Sequence, residues 1–238
     1  MKIDNAKALI FDFDGTLTRH EPNSYYILLR HCGVSRKICN KLFNNSLIRS
    51  PRIINLGINI CSLIFKRAHI SREDVGKIGR NIRLMTNTIE CLQELKRQGY
   101  HLYIVSDNLL PIIEEALGEN ADIFDHIFAH NITWTTDGHL SKIQYMRGKV
   151  DSINSILKSS KISPSNILFF GNDENDLCVK RTGIKTCCLN PKSERVQHDN
   201  HQFWNLYLES VDDFNIVKEL IYNLSSPLNT QSATAERN

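Results

Sequence analysis

The stretch Leu9-Ile10-Phe11-Asp12-Phe13-Asp14-Gly15-Thr16-Leu17-Thr18 limits what this chain can become more than any other, because an apolar run suited to a buried strand ends in two carboxylates. In an extended segment side chains alternate, so Asp12 and Asp14 share one face while Phe13 turns into the sheet. Gly15 permits a sharp turn, and Thr16 can cap the next element. Two adjacent acids at a strand exit repel each other unless a cation or a proton resolves the repulsion. That cost points to a site.

Beyond this stretch the chain divides in two. Residues 18–85 have a helical pattern, with predicted helices at 24–33, 35–50, 51–67 and 71–83; Ser stands at or near three of the starts, and Pro51 suits a first turn. From residue 88 helices and strands alternate: helices at 88–98, 109–117, 150–158, 175–181 and 210–224, strands at 101–105, 166–170 and 185–189, and an extended stretch at 127–135 closed by the Asp137-Gly138 turn. This alternation predicts an α/β fold, a doubly wound and mostly parallel sheet of Rossmann-like type, interrupted by an α-helical insertion. Ligands of such sheets bind beyond the strands' carboxyl ends, where the strand order reverses. The expected division is a core of 1–17 and 86–224, a helical cap of 18–85 and a disordered tail of 225–238, whose Ser, Thr, Asn and Gln offer little to bury.

Charge divides at the same boundaries. The chain of 238 residues carries a net +3. Residues 19–85 hold 13 Lys and Arg against Glu21, Glu73 and Asp74, a net +10, which leaves −7 for the rest. The insertion is therefore built to meet anions. Its most apolar piece, residues 53–65, reads as the packed helix of a small bundle, with a membrane-touching face as the alternative because Arg49, Arg52, Lys66 and Arg67 flank it. That alternative implies peripheral contact with an anionic membrane. Nucleic acid is not an expected partner, since the basic segment has few aromatics for stacking beyond Tyr25, Tyr26, Phe43 and Phe65. Seven scattered cysteines without a CxxC pair argue against a disulfide frame or a zinc site. Together with the lack of a secretory pattern at Met1, they lead to an expected cytoplasmic location. His198 and His201 lack companions for a metal set and read as a polar loop.

Asp12-Phe13-Asp14-Gly15-Thr16-Leu17-Thr18 at a strand exit resembles the first motif of the haloacid dehalogenase superfamily. Three later segments extend the resemblance in the family's order: Ser106-Asp107-Asn108 after a strand, Lys149 at the start of a helix, and Gly171-Asn172-Asp173-Glu174-Asn175-Asp176 after another strand. The resemblance implies a Mg2+-dependent phosphomonoester hydrolase with a C1-type helical cap. Asp12 would attack phosphorus to form an aspartyl-phosphate, and Asp14 would protonate the leaving group and then activate water. Ser106, with the Asp107 amide, and Lys149 would hold phosphate oxygens. Such a carboxylate nucleophile splits one hard displacement into two steps. Asp12, the Asp14 carbonyl and the acidic loop would bind the metal. Where the family usually has an Asp ligand this chain has Asn172, so either metal affinity falls or Asp173 takes the role. Asp176 would be a second ligand or would orient waters on the metal.

A cap inserted directly after the first motif is similar to the phosphoserine-phosphatase-like branch, and Glu21 coincides with a Glu that contacts the substrate amine there. The cap lacks the F-x-x-S-L-x-x-R pattern those enzymes direct at the substrate carboxylate. Ser106-Asp107-Asn108 and the 128–140 hairpin look more like phosphocholine or phosphoethanolamine phosphatases. The basic, apolar-helix cap is similar to phosphatidylglycerophosphate phosphatases. The implied partner is a small phosphomonoester, with a lipid phosphate or a catalytically weakened phosphate-binding module as alternatives.

Overall fold

The computed structural model describes residues 6–19, 24–43, 51–192, Val196 and 204–225. Glu21, His198 and His201, residues 44–50 of the second predicted helix, and the expected tail from residue 226 lie outside the described residues.

Strand β1 (Ala8–Phe11) runs parallel to β2 (His101–Leu109) on one side and to β5 (Ile167–Gly171) on the other, with Phe11 opposite both Ile104 and Phe170. With β3 (His126–Trp134), β4 (Leu140–Gln144), β6 (Lys185–Leu189) and β7 (Leu206–Leu208), the sheet has the order β4-β3-β2-β1-β5-β6-β7, parallel except for the β3–β4 hairpin. The central strands are continuous apolar runs because both of their faces are covered. On one face Leu9, Phe11, Ile104, Leu168 and Phe170 pack against α5 (Thr88–Arg97), α6 (Leu110–Leu117) and α8 (Phe214–Ser225), and the rings of Phe11 and Phe170 stack with centroids 5.0 Å apart. On the other face Ala8, Ile10, Val105, Ile167 and Phe169 meet Ile153 and Ile156 of α7 (Lys149–Ser160). Each fully buried side chain of this kind contributes about 1.5–3 kcal/mol.

Between β1 and α5 lie α1 (Ser24–His31), α2 (Arg36–Phe43), α3 (Pro51–Arg67) and α4 (Arg72–Arg80). They enclose Leu28, Leu29, Cys39, Ile58, Phe65, Ile70 and Val75, and share this cluster with Leu109 and Ile112 of the core and with Ile132, Leu140 and Ile143 of the hairpin. A capping box starts α4, the Asp74 N–H donating to Ser71 Oγ at 3.2 Å and the Ser71 N–H to Asp74 Oδ2 at 2.9 Å. The hairpin is bound to these helices through main chain: the Arg72 N–H donates to the Gly138 carbonyl at 3.0 Å and the Leu140 N–H to the Ile70 carbonyl at 2.7 Å. Tyr145 hydrogen-bonds Asn59 of α3. Helix α4 lies directly on α6, because a Cβ on Gly79 would stand 2.5 Å from Glu115 Cβ and 2.8 Å from the Ile112 carbonyl.

Several elements differ from the sequence expectation, four of them near the sheet. Strand β2 continues to Leu109 with an irregular register after Val105, residues 174–182 form a 3-10 helix, β7 is additional, and the last helix begins at Phe214. Among the described residues no helix is long and apolar enough to cross a membrane, and all seven cysteines are unpaired.

Candidate active site

The strand order reverses at β1, so the crevice beyond its carboxyl end lies between the ends of β2 and β5. Asp12 is the first residue past β1, and its N–H donates to the Phe170 carbonyl at 2.8 Å. Alternation carries its side chain to the face of Ile10, over the first turn of α7. There Lys149 Nζ lies 3.1 Å from Asp12 Oδ1 and 2.6 Å from Asp176 Oδ1, all three side chains being buried. The second oxygen of Asp176 accepts the N–H groups of Asn172 at 2.9 Å and Asp173 at 3.0 Å. Gly171 makes this possible, since a Cβ there would come within 2.6 Å of the Asp176 carboxylate and 2.7 Å of the Phe169 ring. Burial works against the Lys149 charge, but Asp12 and Asp176 outweigh it and hold the ammonium well above its ordinary range.

After Asp12 the chain turns tightly, the Phe13 carbonyl accepting the N–H groups of Thr16, Leu17 and Thr18, with Gly15 at φ +75°. The turn sets Asp14 Oδ1 to accept from Asn108 Nδ2 at 3.2 Å. Asn108 is itself fixed, donating to Ser24 Oγ at 3.0 Å and accepting the Leu109 N–H at 2.6 Å. Burial first, and then the neighbouring Asp12, lift the Asp14 carboxyl from 3.8 to about 7, against the pull of Lys192 and Lys149. One carboxyl beside Lys149 and one poised near neutrality can divide nucleophilic and acid–base work between them.

A match to the haloacid dehalogenase-like hydrolases runs over residues 9–181. The chain belongs to this family. A phosphoserine phosphatase of Wolinella succinogenes is 26% identical over 177 residues, 71% of this chain and 81% of that protein. A solved phospho-aspartyl intermediate analogue of phosphoserine phosphatase superposes with a TM-score of 0.70 at 18% identity, covering 91% of this chain and 99% of the other. The haloacid dehalogenase family hydrolase t0658 of Salmonella enterica serovar Typhi gives 0.73 at 14% identity, covering 90% and 71%. At these identities the structural likeness is one of fold.

Within this haloacid dehalogenase-like hydrolase, Asp12, Asp14, Lys149 and Asp176 come together at the crevice. Ser106 is buried within β2, two residues beyond Ile104, the register partner of Phe11, and its Oγ accepts the Asn108 N–H at 3.3 Å. The Asp107 carboxylate is drawn toward the acidic loop, accepting from Asn175 Nδ2 at 2.9 Å. The two candidates for the ligand position are placed differently. Asp173 is held by Lys192, whose Nζ is 2.9 Å from Oδ2, and by the Glu174 N–H at 2.7 Å on Oδ1. Asn172 is buried and uses its main chain only, with no side-chain hydrogen bond among the described residues. Asp176 spends both oxygens on Lys149 and the loop amides. Sequence reasoning assigns no role to Asn108, Asn175 or Lys192. Asn108 and Asn175 lie inside motif segments, whereas Lys192 comes after a separate strand and carries no local signal.

Proposed function

We propose that this chain is a phosphatase that hydrolyses small phosphomonoesters through an aspartyl-phosphate on Asp12. The carrying observation is the buried Asp12–Lys149–Asp176 arrangement beside an Asp14 whose carboxyl is lifted to about 7. Lys149 holds the Asp12 carboxylate in place for attack on phosphorus and offers its remaining donor to a phosphoryl oxygen. Protonated Asp14 delivers its proton to the departing alcohol oxygen as the P–O bond breaks. The carboxylate so formed takes a proton from the water that attacks phosphorus of the Asp12 acyl phosphate, so that the P–Oδ bond breaks, phosphate leaves and Asp14 returns to its starting state. The Ser106 hydroxyl and the Asp107 N–H hold phosphoryl oxygens, and Asp176 positions both Lys149 and the 172–173 loop.

The Asp12 carboxylate, the Asp14 carbonyl and the Asn172 amide oxygen form a hard-oxygen donor set that suits Mg2+. Asn172 is favoured over Asp173 because Lys192 already occupies the Asp173 carboxylate. When bound, the ion supplies positive charge against the phosphoryl oxygens, a demand set by a reaction whose catalysed acceleration can reach ~10^21. The phosphoserine phosphatase relatives support a substrate of phosphoserine type, and the resemblance of Ser106-Asp107-Asn108 and the hairpin adds phosphocholine and phosphoethanolamine. The test is phosphate release from these esters and from p-nitrophenyl phosphate, with and without Mg2+. Asp12→Asn is expected to abolish turnover while leaving the melting curve cooperative; full activity in that variant would remove Asp12 as nucleophile. Release that appears only in Asn172→Asp would identify a phosphate-binding module in place of an enzyme.

A second reading, a lipid phosphate at a membrane surface, has its own observation. Leu56, Ile60 and Leu63 are 59%, 47% and 69% exposed on one face of α3, and exposed Lys66 and Arg67 end the helix.

A further inference from the structure

His130 lies on β3, two residues beyond Phe128 and on the same side, the side on which Phe128 packs with Tyr103, Val105 and Met146 beneath α7. Asp12 stands in the same relation to Ile10. His130 pairs in register with Leu109, next to Asn108, and so stands at the height of the crevice. The residue is 3% exposed. Its Nδ1 accepts the Met146 N–H at 2.9 Å, which in a neutral imidazole leaves the proton on Nε2. Burial disfavours a second proton and so does Lys149, with Asp107 acting against them, and the net effect lowers the imidazole below its ordinary range. Asp107 and Lys149 are thus within electrostatic reach of the ring. The edge of the ring also meets Tyr145, the centroids being 5.7 Å apart.

The Nε2–H has no hydrogen-bond partner among the described residues. A buried donor left this way forfeits its hydration without compensation, and beside a crevice a ligand is the partner that restores it. We propose that His130 is a substrate-binding residue, its Nε2–H donating to an oxygen of the phosphomonoester. This inference rests on the phosphatase reading. The acceptor is a phosphoryl oxygen or an oxygen of the organic group, and the two can be separated by experiment.

Two substitutions divide the ring's contacts. His130→Asn places an acceptor near Nδ1, keeping the Met146 contact, and removes the donor. His130→Gln places an amide N–H near Nε2 and gives up the Met146 contact. A binding role predicts that His130→Asn raises KM about tenfold while His130→Gln stays close to the wild type, although Gln lowers the melting midpoint more. If inhibition by inorganic phosphate weakens in step across all esters, the oxygen is phosphoryl. If only phosphoserine, which carries a carboxylate, loses affinity and phosphocholine does not, the oxygen belongs to the organic group. His130→Asn within twofold of wild type for every ester and for phosphate would overturn the proposal, as would equal losses in both variants that track their melting midpoints. The rise in melting midpoint with added inorganic phosphate, and with phosphoserine in EDTA, reads the same contact without turnover. A wild-type protein that releases no phosphate therefore counts against the phosphatase reading and leaves His130 decided by that shift.

Discussion

Asp14 and Lys149 lie in one buried site and respond to it in opposite ways: the carboxyl rises to about 7 and the ammonium is held charged. For Asp14 this has a consequence for stability. An unfolded Asp titrates near 3.9, so between about pH 4 and 7 the native protein binds a proton that the unfolded chain has released. Stability conferred by that proton is complete below about pH 4, declines as pH rises through the window, and is gone above about 7. A three-unit shift bounds the effect at about 4 kcal/mol, and partial solvent access reduces the expectation to about 1–2 kcal/mol. In EDTA, the wild-type melting midpoint should fall between pH 5 and 8 by several degrees more than that of Asp14→Asn. Parallel pH profiles for the two proteins would contradict the assignment. Asp12, Asp14 and the acidic loop were legible in the sequence because each follows an apolar strand with an abrupt change of polarity, and Lys149 was legible only through its place in the family's order of motifs. His130 and Lys192 were not, since what distinguishes them is a neighbour brought close only by the sheet.

At the scale of elements, glycine reads differently in two inserted helices. In α4 the absent Gly79 side chain is the space into which Glu115 and the Ile112 carbonyl of α6 fit. In α3 nothing lies within 4 Å of a Cβ on Gly57. Gly79→Ala should therefore force α4 off α6 and cost about 1–3 kcal/mol, whereas Gly57→Ala should stabilise by up to about 1 kcal/mol through helix propensity. Urea unfolding of both variants checks the pair, and changes of equal sign would contradict the packing. Neither glycine could be sorted from sequence, because the contact on Gly79 comes from another helix far along the chain. Elements with a clear period were readable: α3 matches its expected span at both ends. Misreadings came from local chemistry. Ser106-Asp107-Asn108 looked like the end of a strand, yet β2 continues through them. The 175–181 helix became a 3-10 helix under a capping box between Asp173 and Asp176. Strand β7, three residues long, offers too short a pattern to detect.

Across the whole molecule, charge and fold coincide: the +10 of residues 19–85 falls in the segment that supplies the inserted helices, and α3 among them exposes an apolar row. Each Lys or Arg near an anionic bilayer contributes about 1 kcal/mol, and this attraction fades as the screening length shortens to about 3 Å at 1 M salt. Co-sedimentation should be stronger with phosphatidylglycerol than with phosphatidylcholine vesicles. A fraction should survive high salt, and that fraction should vanish when Leu56, Ile60 and Leu63 are all changed to Ser. Indifference to lipid charge would end the membrane reading. The hairpin carries a separate consequence at this scale. Its turn is stitched to the chain around Ile70 and Arg72 by main-chain bonds, and its first strand belongs to the sheet beside β2. The inserted helices are thus riveted to the sheet through the hairpin, so a substitution that loosens the chain around Ile70 and Arg72 would be felt at the strand beside β2 and not at one loop alone.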